Sequence, residues 1–219
     1  MTPVTLHPER ARQKGERTRR AILEVAVDLA SVEGLEGLTI GRLASELDMS
    51  KSGLFAHFGS KEELQVATVQ AARDIFLEEV IKPSLRVPRG IARLEALADS
   101  WISYAERKVF RGGCFFDAAA TEFDGRPGAV RDLVAQNWTD WLAMLETAAR
   151  KAQQAGEIDP ADDPRQIAYE MNALTTAANR SAQLLGDPMG WNHARRAIHR
   201  LLASVRTDRQ SDSHGETES

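Results

Sequence analysis

Residues able to do catalytic chemistry are few in this chain, and they are scattered. The five histidines are His7, His57, His193, His199 and His214. His193 and His199 lie six apart, about 600° around a helix, so they cannot clip one metal ion between them. No H-E-x-x-H, E-x-x-H, phosphate-cradling glycine loop or G-x-S-x-G pattern occurs. Cys114 is the sole cysteine, which excludes an intramolecular disulfide framework. Beside Phe115 and Phe116 it suits a small buried apolar residue better than a nucleophile or thiol sensor. The acids from Asp159 to Asp163 suit a loop and a helix cap better than a calcium site. Neither a metal nor a cofactor is expected. The chemistry on offer is electrostatic: Arg10, Arg12, Lys14, Arg17, Arg19 and Arg20 face a single acid, Glu16, in the same stretch. The formal net charge of the whole chain is −4, but distribution matters more than the sum for a nucleic-acid partner. At the other end Asp208, Asp212, Glu216 and Glu218 face only Arg209, and 207–219 reads as a solvated, disordered tail.

Helices must position these groups. Of the 219 residues 42% are hydrophobic and 27% charged, as in a folded globular chain of one or two domains. The longest apolar run, Trp141 to Leu145, is far short of the about 20 residues that span a bilayer. With no apolar leader at the N-terminus either, a cytoplasmic protein without a membrane partner is expected. Ile22, Val25, Ala26 and Leu29 recur at i, i+3, i+4, i+7, which predicts a helix from Arg10 to Val32 ending at Gly34. Thr39 and Ser50 suit the caps of two short helices, and Ser60 with Glu63 forms an S-x-x-E capping box for a fourth that Pro83 should end at Lys82. Further helices are predicted over Gly90–Phe110, Cys114–Phe123 and Ala129–Ala155, and from the Asp-Pro starts at Asp163 and Asp187. No convincing alternation of β-branched residues appears, so the fold class is all-α with about nine helices.

The most informative stretch is Thr39–Leu64, TIGRLASELDMSKSGLFAHFGSKEEL. Two short helices, small Ala44 at their crossing, and Asp48 in a turn that wants a left-handed backbone match a helix-turn-helix. The continuation SKSGLFAHF-GSKEEL resembles the tetracycline-repressor (TetR) family of bacterial transcription regulators, and residues 17–64 carry the match.

The resemblance implies roles. Thr39 would meet a DNA phosphate at a helix N-terminus. Ser50, Lys51, Ser52 and Gly53 would face base edges in the major groove, and Arg17, His57 and Lys61 would touch the DNA backbone. Phe55 stands where Tyr is usual, which leaves ring packing but no phenolic hydrogen bond. Gly53 stands where many relatives carry Ser or Thr. The implied organisation is a DNA-binding domain at 10–60 and an effector-binding and dimerisation domain at 61–206. The implied function is that of a homodimeric repressor, released from a pseudo-palindromic double-stranded operator by a small molecule. The competing reading is a helical enzyme or small-molecule carrier with a helix-turn-helix-like N-terminus.

Two further sets of residues are candidates. Trp101, Tyr104, Phe115, Trp138, Trp141 and Met144 recur at helical spacings, as core or as the wall of an apolar pocket. Asn172, Thr175, Thr176 and Asn179 share one face of an otherwise apolar helix, and Glu122 is the one charge placed near them. An apolar or aromatic effector is expected. The stripe Trp191, Ala194, Ile198, Leu201 and Leu202 on the last helix corresponds to the family's four-helix dimer interface.

Overall fold

A computed structural model describes residues 8–207. The acidic run from Asp208 onward, with nearly all of the predicted tail, and His7 and His214 lie outside the described residues. Nine helical segments follow in order: α1 (Pro8–Glu33), α2 (Ile40–Glu46), α3 (Lys51–Phe58), α4 (61–85), α5 (Ile91–Glu106), α6 (Phe115–Phe123), α7 (Ala129–Gln154), α8 (Pro164–Leu184) and α9 (Met189–Ser204). Among the described residues the only β-type pairing is an isolated bridge between Ile158 and Arg206.

Local chemistry sets most of the ends. Gly34, at φ +83°, closes α1 and donates its N–H to the Ala30 carbonyl. Thr39, Ser50 and Ser60 cap the next three helices, each hydroxyl accepting the N–H three residues on. The Asp163 carboxylate accepts the Arg165 N–H at the start of α8, with Pro164 at the first helical position.

Two predicted ends were wrong. Helix α5, expected to reach Phe110, stops at Glu106, with Lys108 just beyond it at φ +53°. The fourth helix does not stop before Pro83 but runs from Lys61–Phe76 through a π-helical turn, Leu77–Ile81, into Lys82–Leu85. Pro83 has no N–H for the Glu79 carbonyl and its ring crowds the preceding turn. Widening the ladder there, with the Lys82 N–H donating to the Leu77 carbonyl, absorbs both defects without breaking the axis.

One continuous buried cluster runs through both halves of the chain. Ile22, Ala26 and Leu29 of α1 meet Leu43, Leu54 and Phe58 of the two short helices, and α4 carries that core into the larger bundle. At the centre of the bundle aromatic rings pack edge to face, with Phe76 5.5 Å from Trp141, 5.7 Å from Tyr104 and 5.9 Å from Phe116 between ring centres.

The stripe expected to form the dimer interface lies elsewhere. Trp191, Ala194, Ile198 and Leu202 are buried within the chain itself, against α8 and α5, and only Leu201 stays half-exposed. A helix covering its own bundle needs one apolar face for that task, and α9 uses this one. Of the large apolar side chains left in solvent, Tyr169, Leu184, Leu185 and Met189 lie on the outer face of α8 and the corner leading into α9, while Val32, Phe55 and Leu85 are exposed elsewhere.

Candidate nucleic-acid interface and the cavity behind it

The α2–α3 pair presents its polar front from an apolar anchor. Leu43, Ala44, Leu54 and Phe58 are buried, while Lys51, Ser52 and Phe55 are exposed. Between the helices Asp48 adopts φ +51°, the left-handed turn that Asp tolerates, and the Met49 N–H donates back to the Ala44 carbonyl at 2.9 Å. Thr39 Oγ1 accepts the Arg42 N–H at 3.0 Å, which leaves its own O–H free to donate outward. Ser50 Oγ accepts the Gly53 N–H at 3.1 Å and lies 3.3 Å from the Ser52 hydroxyl. A Cβ at Gly53 would stand 3.0 Å from Ser50 Oγ, so the glycine leaves room for that cap. The Lys51 side chain lies across Gly41, at the first turn of α2.

Charges around this front are partly committed already. Arg42 was not singled out from the sequence. Its guanidinium joins Glu33 (2.7 Å) and Glu46 (2.8 Å), tying α2 to the end of α1. This hydrogen bonding lowers the Glu33 pKa and raises that of Arg42. Lys61 Nζ donates to Glu36 Oε1 at 2.7 Å, and this bond is the chief reason the Glu36 carboxyl titrates below its ordinary range. Arg17 is exposed on α1, whereas Arg19 stacks over the Phe58 ring at 4.6 Å. His57 is half-buried with its ring 6.3 Å from that of Phe58.

Contacts from α6 and the connection before it help to fasten this unit to the rest of the molecule. Glu122, at the end of α6, accepts the N–H groups of Leu35 (2.7 Å) and Glu36 (2.8 Å) in the α1–α2 loop. Its expected place beside a ligand is therefore wrong: both oxygens are taken, about ninety residues away in sequence. Gly112 approaches α1 so closely that a Cβ would fall 1.7 Å from the Ser31 carbonyl oxygen, and its N–H donates to Ser31 Oγ at 3.1 Å. Beside it the Arg111 N–H donates to Asp28 at 3.1 Å.

Behind α6 is a small cavity of about 40 Å³, room for about three waters. Of the residues expected to form a pocket, Trp101, Trp138, Trp141, Asn172 and Thr176 line it. Tyr104 and Phe115 do not: they are buried in the ring cluster with Phe110 and Phe116. Met144 packs half-buried against the core. Thr175 spends its hydroxyl on carbonyls of its own helix, and Asn179 bonds the Cys114 N–H and Asp117. Phe76, Cys114, Phe116, Asn137 and Asp117 also line the cavity and were missed as pocket residues. Asp117 had a signal, an acid inside the apolar run CFFDAAA. Burial pushes the Cys114 thiol up to about 12, the direction that disfavours the thiolate.

Comparison with known proteins agrees with both halves. Residues 22–68 match the model of bacterial regulatory proteins of the tetR family, and residues 90–198 match the tetracyclin repressor-like C-terminal domain. A TetR transcriptional regulator from Chloroflexus aurantiacus superposes with a TM-score of 0.83 at 26% identity, over 89% of this chain and 98% of that one. The nucleoid occlusion factor SlmA of Idiomarina loihiensis is 25% identical over 156 residues, 69% of this chain and 77% of its own. An HTH-type transcriptional regulator of Staphylococcus aureus is 33% identical over 66 residues, 30% of this chain and 36% of its own. Among the described residues no helix is long and apolar enough to cross a membrane. With a capped helix pair that leaves the front of its second helix bare, a bundle that holds that pair by its loop, and family models matching each half, the chain belongs to the TetR family of DNA-binding transcription regulators.

Proposed function

We propose that the protein is a homodimeric repressor that acts in the cytoplasm by binding alone, without catalysis. The DNA-binding unit is residues 10–60, and 61–206 form the effector-binding and dimerisation unit. The observation that carries this reading is the bare front of α3. Lys51 and Ser52 stand in solvent while Leu54 and Phe58, on the same two turns, are buried in the core. A helix held that way can enter a major groove without losing its anchor. Ser50, Lys51 and Ser52 face base edges there, and Gly53 lets the helix backbone come close. Phe55, 54% exposed, gives an apolar face for a thymine methyl or sugar. Thr39, His57, Lys61 and Arg17 meet phosphates, Lys61 by exchanging Glu36 for a phosphate oxygen.

Two such helices are needed to read a pseudo-palindrome, set about 34–36 Å apart. The second copy docks on the outer face of α8 and the α8–α9 corner, where Tyr169, Ala173, Ala177 and Leu184 fall on one exposed stripe. A small molecule enters the cavity beside α6 and acts by binding one spacing of the two DNA-binding units better than the other. Helix α6 carries a cavity residue, Asp117, near its start and the loop-holding Glu122 near its end, so a shift of this one helix reaches the α1–α2 loop.

The test is a gel shift with DNA flanking the protein's own gene that contains an inverted repeat. A retarded band that the unlabelled repeat competes away, and a scrambled duplex does not, is expected. Loss of that preference in Lys51→Ala with Ser52→Ala, in a folded protein, is the second expected result. Equal binding to repeat and scrambled DNA would remove the operator-binding reading.

A further inference from the structure

We infer that the effector cavity is built for an organic cation, an ammonium carrying an aromatic or bulky apolar group, with Asp117 as its counter-ion. The inference rests on the reading of the chain as an effector-responsive regulator and names the class of ligand.

Asp117 is 93% buried by its own fold, with 7% of its surface exposed, and it lines the cavity. Its immediate surroundings satisfy it only in part. The Asn179 side-chain amide is oriented without ambiguity, because its oxygen accepts the Cys114 N–H at 3.2 Å and so must face that way. The amide NH₂ is thereby turned onto Asp117 and donates to Oδ2 at 2.8 Å. A carboxylate has about four acceptor positions, and this is the one side-chain hydrogen bond Asp117 makes. The Arg180 charge acts on Asp117, but its Nη2 donates to Thr121 at 3.1 Å and, among the described residues, it makes no hydrogen bond or ion pair to the Asp117 carboxylate. A buried carboxylate with so few donors is costly unless a positive charge joins it.

The rest of the wall suits the other end of such a ligand. Phe76, Phe116, Trp101, Trp138 and Trp141 line the same cavity as the carboxylate. Indole is the ring type that attracts a cation most strongly over its face. The polar groups that remain are neutral: the Thr176 hydroxyl, the Cys114 thiol, Trp141 Nε1, which donates to Asn172 Oδ1 at 3.1 Å, and Asn137, whose Nδ2 donates to its own helix. No Lys or Arg lines the cavity, so an anionic ligand would find a like charge and no partner. Burial raises the Asp117 pKa, outweighing the opposite pull of the Asn179 hydrogen bond and the Arg180 charge. The cavity's present size, about 40 Å³, means that a ligand must part the wall. The half-buried Trp138 and Asn137 of α7 are the side chains placed to move.

Two isosteric probes separate charge from shape: phenyltrimethylammonium and the neutral tert-butylbenzene, titrated against tryptophan fluorescence of the full-length protein. Wild type should bind the cation about tenfold or more tightly than its neutral isostere, as a desolvated cation–π site with a counter-ion requires. Asp117→Asn, isosteric and with its fold checked by circular dichroism, should keep tert-butylbenzene binding and lose the preference. Equal or tighter binding of the neutral probe by wild type would overturn the inference, and so would binding of neither probe. That comparison needs no variant and holds even if Asp117→Asn fails to fold. Operator binding measured on the same samples without either probe tests the regulator reading separately. A protein that holds its operator yet ignores the cation fails this inference alone.

Discussion

Lys51 and Lys61 carry the same charge ten residues apart, yet their surroundings assign them different work. Lys51 lies over Gly41 with no acidic partner, at the front of α3, whereas Lys61 is bonded to Glu36. Lys61→Ala should weaken binding to every duplex alike and reduce the log K versus log salt slope by about 0.9 per lost phosphate contact. Lys51→Ala should instead change the ranking of operator variants, each altered base pair being worth about 1–3 kcal/mol. Fluorescence anisotropy over a set of operator variants at several salt concentrations separates the two. The Lys61–Glu36 bond also has a pH sign. The Glu36 pKa is lowered in the folded state, so the contribution of the pair is fully present above the ordinary carboxylate range and is lost as pH falls through the lowered value. At neutral pH the pair is closed, and phosphate must compete for Lys61. At this scale the exposed front of α3 was legible, because a helix-turn-helix is a local pattern. Glu122 was not, because the two N–H groups it accepts lie 87 and 86 residues away and no spacing rule links them. Asp117 was legible only as an oddity, since its partner Asn179 lies 62 residues on.

Helices began where the sequence said they would. Ser60 shows why: a hydroxyl three residues before the Glu63 N–H needs nothing from the rest of the fold. Ser60→Ala should cost about 1 kcal/mol of stability in a urea melt, with DNA preference unchanged. The π turn of α4 was illegible, because Pro83 usually ends a helix and here the turn and the residues after it are held by packing against α5. Contacts between elements matter more for function. Glu122→Gln replaces an acceptor of two N–H groups with an amide oxygen able to hold one well, leaving a loop N–H short of a partner at about 1–3 kcal/mol. The expected outcome is faster hydrogen exchange at Leu35 and Glu36, together with DNA affinity less responsive to effector. Unchanged exchange there would mean that α6 does not hold the loop. Gly112→Ala is the sharper change. Its Cβ would meet the Ser31 carbonyl, so α1 and the α5–α6 connection must separate.

For the molecule as a whole, the all-α bundle was legible from periodicity, but the direction each face points was not. Trp191, Ala194, Ile198 and Leu202 form a clean apolar stripe, and nothing in a stripe says whether its cover is the same chain or a second copy. The structure spends it internally, which separates two experiments that the sequence alone would have merged. Trp191→Ala should cost about 3–5 kcal/mol as a core truncation. Tyr169→Glu with Leu184→Glu, on the exposed stripe, should yield folded monomers by sedimentation that bind operator poorly. A dimer that survives the second pair would place the interface elsewhere. The distribution of charge is uneven as well, with the basic stretch Arg10–Arg20 in the first half of α1 on a chain whose net charge is −4. The central claim, sequence-specific binding through the two α3 helices of a dimer, is tested most directly by one titration. Anisotropy of a labelled inverted-repeat duplex against its scrambled counterpart, followed from low to physiological salt, reads the phosphate and base contributions together. The account predicts affinity falling steeply with salt for both, and a preference for the repeat of about 10³-fold or more that persists at physiological salt. Identical curves for the two duplexes would contradict it.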